Sequence, residues 1–126
     1  MKLLLDTHAV VWWLCSPARL STAALTALSD GKNEILVSAA SGYEIEIKRD
    51  RDETLRNVPE SLKAAVVEQG FVWLSISAEH AIAAALLPMH HRDPWDRILI
   101  AQALEEGAQL VSCDARMEAY GVPILW

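Results

Sequence analysis

Apolar and polar positions along this chain fall into short blocks that switch repeatedly between strand-like runs and helical spacing. Lys2-Leu3-Leu4-Leu5 is an apolar run of strand length that ends on Asp6, and a helical pattern takes over at once from Ala9 to Cys15. Pro17 marks its stop. A second helix is predicted from about Ser21 to Ser29, closed by the turn chemistry of Asp30-Gly31-Lys32-Asn33. Glu34-Ile35-Leu36-Val37-Ser38 reads as a buried strand, and Ser38 is placed to cap a helix running to about Lys48. The mixed charges of Lys48 to Glu53 predict a solvated helix end or loop. Another helix is expected from Asn57-Val58-Pro59-Glu60, with proline at an early position, and it ends at Gly70. Phe71 to Ile76 is a third strand; Ser77 opens a helix that Pro88 stops after Leu87. Past the short connection Met89-His90-His91-Arg92, a long helix is predicted from Pro94 to Glu106, with Gly107 as its terminator. Gln109 to Cys113 is a fourth strand, a short helix follows Asp114, and Val122 to Leu125 is a last strand that Pro123 confines to an edge.

Strands that alternate with helices, without repeat or linker, give a parallel sheet covered on both faces. The expectation is one α/β domain over residues 1–126, a three-layer α/β/α sandwich on a mainly parallel sheet of about five strands.

Composition agrees with a globular chain: 52% of the 126 residues are apolar and 22% charged. Cys15 and Cys113 are too few and too far apart for a disulfide framework, and no CxxC spacing exists, so a reducing cytoplasm is the expected setting. Met1 to Leu5 starts like a leader, but Asp6 and His8 interrupt it, and no apolar run approaches the roughly 20 residues of a membrane span. A soluble, unexported protein with no membrane partner is expected. The net charge of −6 argues against broad, passive binding to a nucleic-acid backbone. It leaves a nucleic-acid substrate open, because metal ions held by clustered acids reverse the local charge.

Carboxylates carry the candidate chemistry. At about 100° per residue, Glu44 falls on the stripe of Ala40, Tyr43 and Ile47, while Glu46 points aside; Asp96 lies among Leu99, Ile100 and Ala103, while Arg97 projects away. Asp6 and Asp114 each follow a strand, at the edge where open parallel sheets bind ligands. The bland alternative is capping: Asp93-Pro94-Trp95-Asp96 is a good helix start, and Asp6 and Asp114 suit the same role. Glu44 lies mid-helix and has no cap to make. Acids gathered within a few ångströms raise one another's pKa values or bind a divalent cation, and hard oxygen ligands suit magnesium or manganese. Such a site activates water and clamps a phosphodiester for in-line attack. Other chemistry lacks support. The five glycines make no phosphate loop. His90-His91 is adjacent, which is no helical zinc pair, and reads as a solvated turn, with contact to a phosphate as a minor role. Cys113 reads as strand core, and Trp12, Trp73 and Trp95 as packing.

At these residues the sequence resembles PIN-domain proteins of the VapC toxin type. The likeness rests on Leu5-Asp6-Thr7-His8, on Ser38-Ala39-Ala40-Ser41-Gly42-Tyr43-Glu44-Ile45-Glu46-Ile47-Lys48, on His90-His91-Arg92-Asp93-Pro94-Trp95-Asp96-Arg97-Ile98-Leu99-Ile100-Ala101-Gln102-Ala103, and on the ending from Leu110 to Asp114 and Tyr120 to Trp126. It implies an acidic site of Asp6, Glu44, Asp96 and Asp114, with Thr7 and Ser112 as supporting hydroxyls and Asp93 as part of the motif. It further implies a Mg2+- or Mn2+-dependent endoribonuclease, a homodimer, and a neutralising antitoxin partner. Arg97 or Arg92 is the expected substrate contact. Gly42 and Tyr43 depart from the bulkier residues usual before the glutamate, and Trp95 replaces phenylalanine. Two rivals remain at this point: a magnesium-dependent phosphatase or phosphoreceiver, disfavoured because Asp6-Thr7-His8 lacks a second acid, and a non-catalytic binding module whose acids are caps.

Overall fold

The apolar run after Met1 forms strand β1 (Lys2–Leu5), with Leu3, Leu4 and Leu5 wholly buried, each worth about 2 kcal/mol of burial. The computed structural model describes residues 1–126 and sets β1 at the centre of a five-stranded, all-parallel sheet. The order is β3-β2-β1-β4-β5, with β2 at Glu34–Ser38, β3 at Val72–Leu74, β4 at Gln109–Val111 and β5 at Ile124–Leu125. Six helices fill the connections: α1 (Thr7–Cys15), α2 (Thr22–Ser29), α3 (Ala39–Lys48), α4 (Leu62–Glu68), α5 (Ala78–Leu86) and α6 (Pro94–Glu106). Short 3-10 turns occupy residues 17–19, 53–55 and 115–120.

Strand side chains alternate between two cores. Leu3, Leu5, Ile35, Val37 and Val111 pack with Val10, Leu28, Leu62 and Val66 from α1, α2 and α4. On the opposite face Leu4, Leu36 and Leu110 meet Leu99, Ile100 and Ala103 of α6, with Met117 and Val122. The expected α/β/α sandwich is therefore present, and α5 packs outside it against α6. The edge position predicted from Pro123 also holds, since β5 borders only β4 and the Pro123 carbonyl accepts from the Leu110 N–H. No helix is long and apolar enough to cross a membrane.

Helix starts follow local cap chemistry. Ser21, Ser38, Ser61, Ser77 and Asp93 each accept a backbone N–H in the first turn they precede. Gly107 ends α6 in the left-handed region at φ 63°.

Four expectations require correction. Helix α4 begins at Leu62 and not at Asn57 to Glu60, because Ser61 supplies the cap while the Val58 and Pro59 carbonyls accept from the Arg49 guanidinium. Strand β3 stops at Leu74, which lies opposite Ser38, the last residue of β2, so Ser75 and Ile76 have no strand to pair with. Strand β4 stops at Val111, and Cys113 is exposed instead of core. On α3 the buried face is Ala40, Ser41, Glu44 and Ile45, whereas Tyr43 and Ile47 are exposed. Tyr43 is occupied on the outside, stacking on Trp95 with centroids 4.9 Å apart. Gly42 also finds its reason here: a Cβ would stand 3.2 Å from the Trp73 ring.

Candidate active site

Parallel register puts the strand ends level. Leu5 pairs with both Val37 and Val111, so the residues that follow them, Asp6, Ser38 and Ser112, share one edge of the sheet. Asp6 is buried there, and its Oδ1 accepts the Ala9 N–H at 2.8 Å, capping α1. Burial pushes its carboxyl up, against the Ser112 hydroxyl and the Ala9 N–H, which hold it down; Asp114 adds repulsion. Thr7 reaches across to α3, its hydroxyl 3.0 Å from that of the buried Ser41.

Asp114 stands just beyond β4. Its Oδ1 accepts the Arg116 N–H, and the Arg116 guanidinium forks onto both oxygens at 3.0 and 2.8 Å. That fork holds the Asp114 carboxyl well below the usual carboxylate range.

Asp93 caps α6 by accepting the Trp95 and Asp96 N–H groups at 2.9 and 3.4 Å. Asp96, one turn inside, caps nothing. Burial raises its pKa to about 6, with Asp93, Asp6 and Glu44 adding repulsion against the attraction of His91. Glu44 arrives from α3, buried, and is met by the Lys48 ammonium at 2.6 Å.

The cap and cluster readings are thus both true of the same side chains. Asp6, Asp93 and Asp114 each use Oδ1 as a cap. The acids still act on one another: Asp96 feels Asp93, Asp6 and Glu44, and Asp6 feels Asp114. Glu44 is paired with Lys48 and Asp114 with Arg116, which leaves the buried Asp6 and the half-buried Asp96 without a lysine or arginine; a hard divalent cation relieves such charge, so the donor set fits magnesium or manganese. The tightest grouping is smaller than the one anticipated. It comprises His91, Asp96 and Asp114, with one donor atom from each lying within 4.8 Å of the others.

His91 is therefore no solvated turn residue. It is buried, and its Nε2 lies 3.1 Å from an oxygen of Asp96 and 3.1 Å from one of Asp114. Its adjacency to His90 hid it from a search for helical ligand spacing; only the loop's path over the acids reveals it. Arg97 departs further from expectation. Instead of projecting away it is buried, donating to the carbonyls of Ala84, Leu87, Pro88 and His91. Arg92 is exposed beside the site. A groove opens next to Glu44, lined by Thr7, His8, Trp12, Arg19, Lys48 and Asn57 among others. Trp12 thus packs on one side and borders this groove on the other, with the Arg19 guanidinium 4.9 Å above its ring.

Comparison with known proteins agrees with this geometry. The family model of the PIN domain matches residues 3–123. Ribonuclease VapC22 of Mycobacterium tuberculosis is 31% identical over 131 residues, covering 95% of this chain and 92% of that protein. Among solved structures, VapBC2 from Rickettsia felis bound to a promoter DNA fragment superposes with a TM-score of 0.76 at 14% identity, covering 98% of this chain and 97% of that one. A toxin–antitoxin complex from Klebsiella pneumoniae gives 0.63 at 19% identity, covering 98% and 96%. At these identities the two structures speak to fold alone.

Proposed function

This chain belongs to the PIN-domain family, and we propose that it is a divalent-metal-dependent endoribonuclease, the toxin of a toxin–antitoxin pair, acting in the cytoplasm. The observation that carries the reading is geometric: parallel register sets Asp6 level with the end of the strand that Asp114 follows, and the His91 Nε2 lies 3.1 Å from both Asp114 and Asp96, the latter in the helix turn that Asp93 caps. Three of these acids already have a cap to make, and caps alone would not require them to gather. The ribonuclease name of a relative 31% identical over nearly the whole chain supports the substrate class. The toxin–antitoxin and VapBC2 structures of the same fold support an antitoxin partner, with a homodimer as the assembly.

In this reading Asp6, Glu44, Asp96 and Asp114 hold Mg2+ or Mn2+, directly or through water. Such an ion supplies a hydroxide-like nucleophile near neutral pH and offsets charge on the phosphate and leaving oxygen. The chain's own contribution is placement. Caps fix one oxygen of Asp6 and of Asp114, Ser112 steadies Asp6, and Thr7 ties α1 to α3 through Ser41. Asp96, with its pKa raised to about 6 by burial, is mostly ionised at pH 7.5. The groove past Glu44 offers the exposed Arg19 to the RNA flanking the cut. No glycine loop or strand-end lysine serves an aspartyl-phosphate rival.

The test is cleavage of defined RNAs by purified protein with and without chelator. EDTA is expected to abolish cleavage, as are Asp6→Asn and Asp96→Asn, with circular dichroism unchanged. Near-normal turnover in both variants overturns the assignment.

A further inference from the structure

The loop between α5 and α6 is densely bonded, and His91 is held through its N–H, its carbonyl and its ring. Its backbone N–H donates to the Tyr120 hydroxyl at 2.7 Å, and that hydroxyl also takes the His90 N–H and donates to the Pro88 carbonyl at 2.8 Å. Its carbonyl accepts from Arg97 Nη1 at 3.2 Å. Its ring Nδ1 accepts the Asp93 N–H at 3.2 Å. That last bond decides the tautomer: a nitrogen that accepts a backbone N–H carries no proton, so in the neutral ring the proton sits on Nε2. Nε2 is the atom that faces Asp96 Oδ2 and Asp114 Oδ2, each at 3.1 Å.

We propose that His91 is a positioning residue of the metal site: its Nε2 is hydrogen-bonded to Asp114 and lies 3.1 Å from Asp96, and the ring thereby fixes the spacing of the two carboxylates. This rests on the metal-site reading above. Asp114 stands just beyond β4 and Asp96 at the start of α6, and the His91 ring lies between them. Both are carboxylates on separate elements with oxygens within 4.8 Å of each other, so without the imidazole between them their repulsion drives the side chains apart. The hydrogen bond to Asp114, with Asp96 against the same ring nitrogen, holds them in place before any ion arrives, which lowers the ordering cost of binding. The same bond pattern argues against His91 as a ligand. Ligation through Nε2 requires moving the proton to Nδ1, where it would point at the Asp93 N–H.

Calorimetric titration of Mn2+ alone into the metal-free protein, without RNA, tests this. His91→Ala is expected to weaken Mn2+ binding about tenfold, the usual scale for a lost outer partner. His91→Gln places an amide N–H near the Nε2 position and offers no ring nitrogen, and is expected to stay within about threefold of wild type. His91→Leu, close in volume, replaces the alanine variant if that one fails to melt cooperatively. If the glutamine variant falls as far as the truncations, His91 is a nitrogen ligand and the proposal is overturned. If truncation leaves affinity unchanged or tightens it, His91 is a bystander or occupies the cation's place, and the proposal is likewise overturned. Wild-type protein that takes up no Mn2+ overturns the metal-site reading itself, a result distinct from either of these.

Discussion

Asp96 and Asp114 are chemically identical, sit beside the same imidazole, and titrate on opposite sides of the ordinary carboxylate range. Asp96 is desolvated and surrounded by Asp93, Asp6 and Glu44, which lifts it to about 6, while the Arg116 fork holds Asp114 down. A carboxyl raised in the folded state contributes stability in its protonated form, fully present below its unfolded value of 3.8 and lost as pH rises through 6. Asp6 is shifted in the same direction. A lowered carboxyl such as Asp114 loses its contribution only in acid, below the ordinary range. Metal-free protein is therefore expected to melt at lower temperature at pH 7.5 than at pH 5. Asp96→Asn should flatten that slope and stabilise the metal-free protein at pH 7.5 by about 1 kcal/mol, after discounting the full shift because the group is partly solvated. The same variant should lose cleavage. Thermal melts in EDTA across this range check the sign; a steeper slope in the variant would refute it. Asp6, Asp96 and Asp114 were readable from sequence because a strand end and a helix start are local events. His91 was not: it meets Asp96 and Asp114 only because the loop before α6 passes over the end of β4.

At the scale of elements, Arg97 shows where pattern reading fails. Period 3.6 placed it off the apolar stripe of α6, which is right for a helix covered on one side. Helix α6 is covered on two, by the sheet and by α5, so its buried positions run from Leu99 through Ala103 without a polar gap, and Gln102 is fully buried with them. The guanidinium goes to the end of α5 and takes the Ala84, Ala85 and Leu87 carbonyls at 2.9, 3.4 and 2.8 Å. It is a C-terminal cap supplied by another helix, with its charge on the negative end of the dipole. Arg97→Ala is expected to destabilise the protein by about 3 kcal/mol, and Arg97→Lys to restore less than half, since an ammonium cannot fork across several carbonyls. Urea unfolding measures this. A substrate-contacting arginine would instead leave stability within about 0.5 kcal/mol and change RNA affinity. Element order, by contrast, was legible almost throughout, because serine caps and terminal glycines act within one turn. The exception, the start of α4, turned on Arg49 claiming the Val58 and Pro59 carbonyls, contacts nine and ten residues away in sequence.

For the molecule as a whole, the difficulty is charge. A chain of net charge −6 whose candidate site gathers several acids should repel a polyanion from the place where it is to be cut. The cations nearest the site do not solve this. Lys48 is bound to Glu44, Arg116 to Asp114, and Arg97 is buried among carbonyls. Exposed Arg19 and Arg92 remain, too few for a basic surface. Substrate binding should therefore depend on the divalent ion and not only turnover. RNA affinity measured in Ca2+, chosen to support binding with little cleavage, is expected to fall at least about tenfold in EDTA, while raising monovalent salt changes it weakly because few phosphate counterions are displaced. Saturating Mg2+ or Mn2+ should also raise the melting temperature, by an amount equivalent to about 2.7 kcal/mol at a hundredfold excess over the dissociation constant. Fluorescence anisotropy with a labelled RNA decides the first point. Unchanged affinity in EDTA with a steep salt slope would mean that a basic surface elsewhere captures the RNA, and that the acids act only after it has arrived.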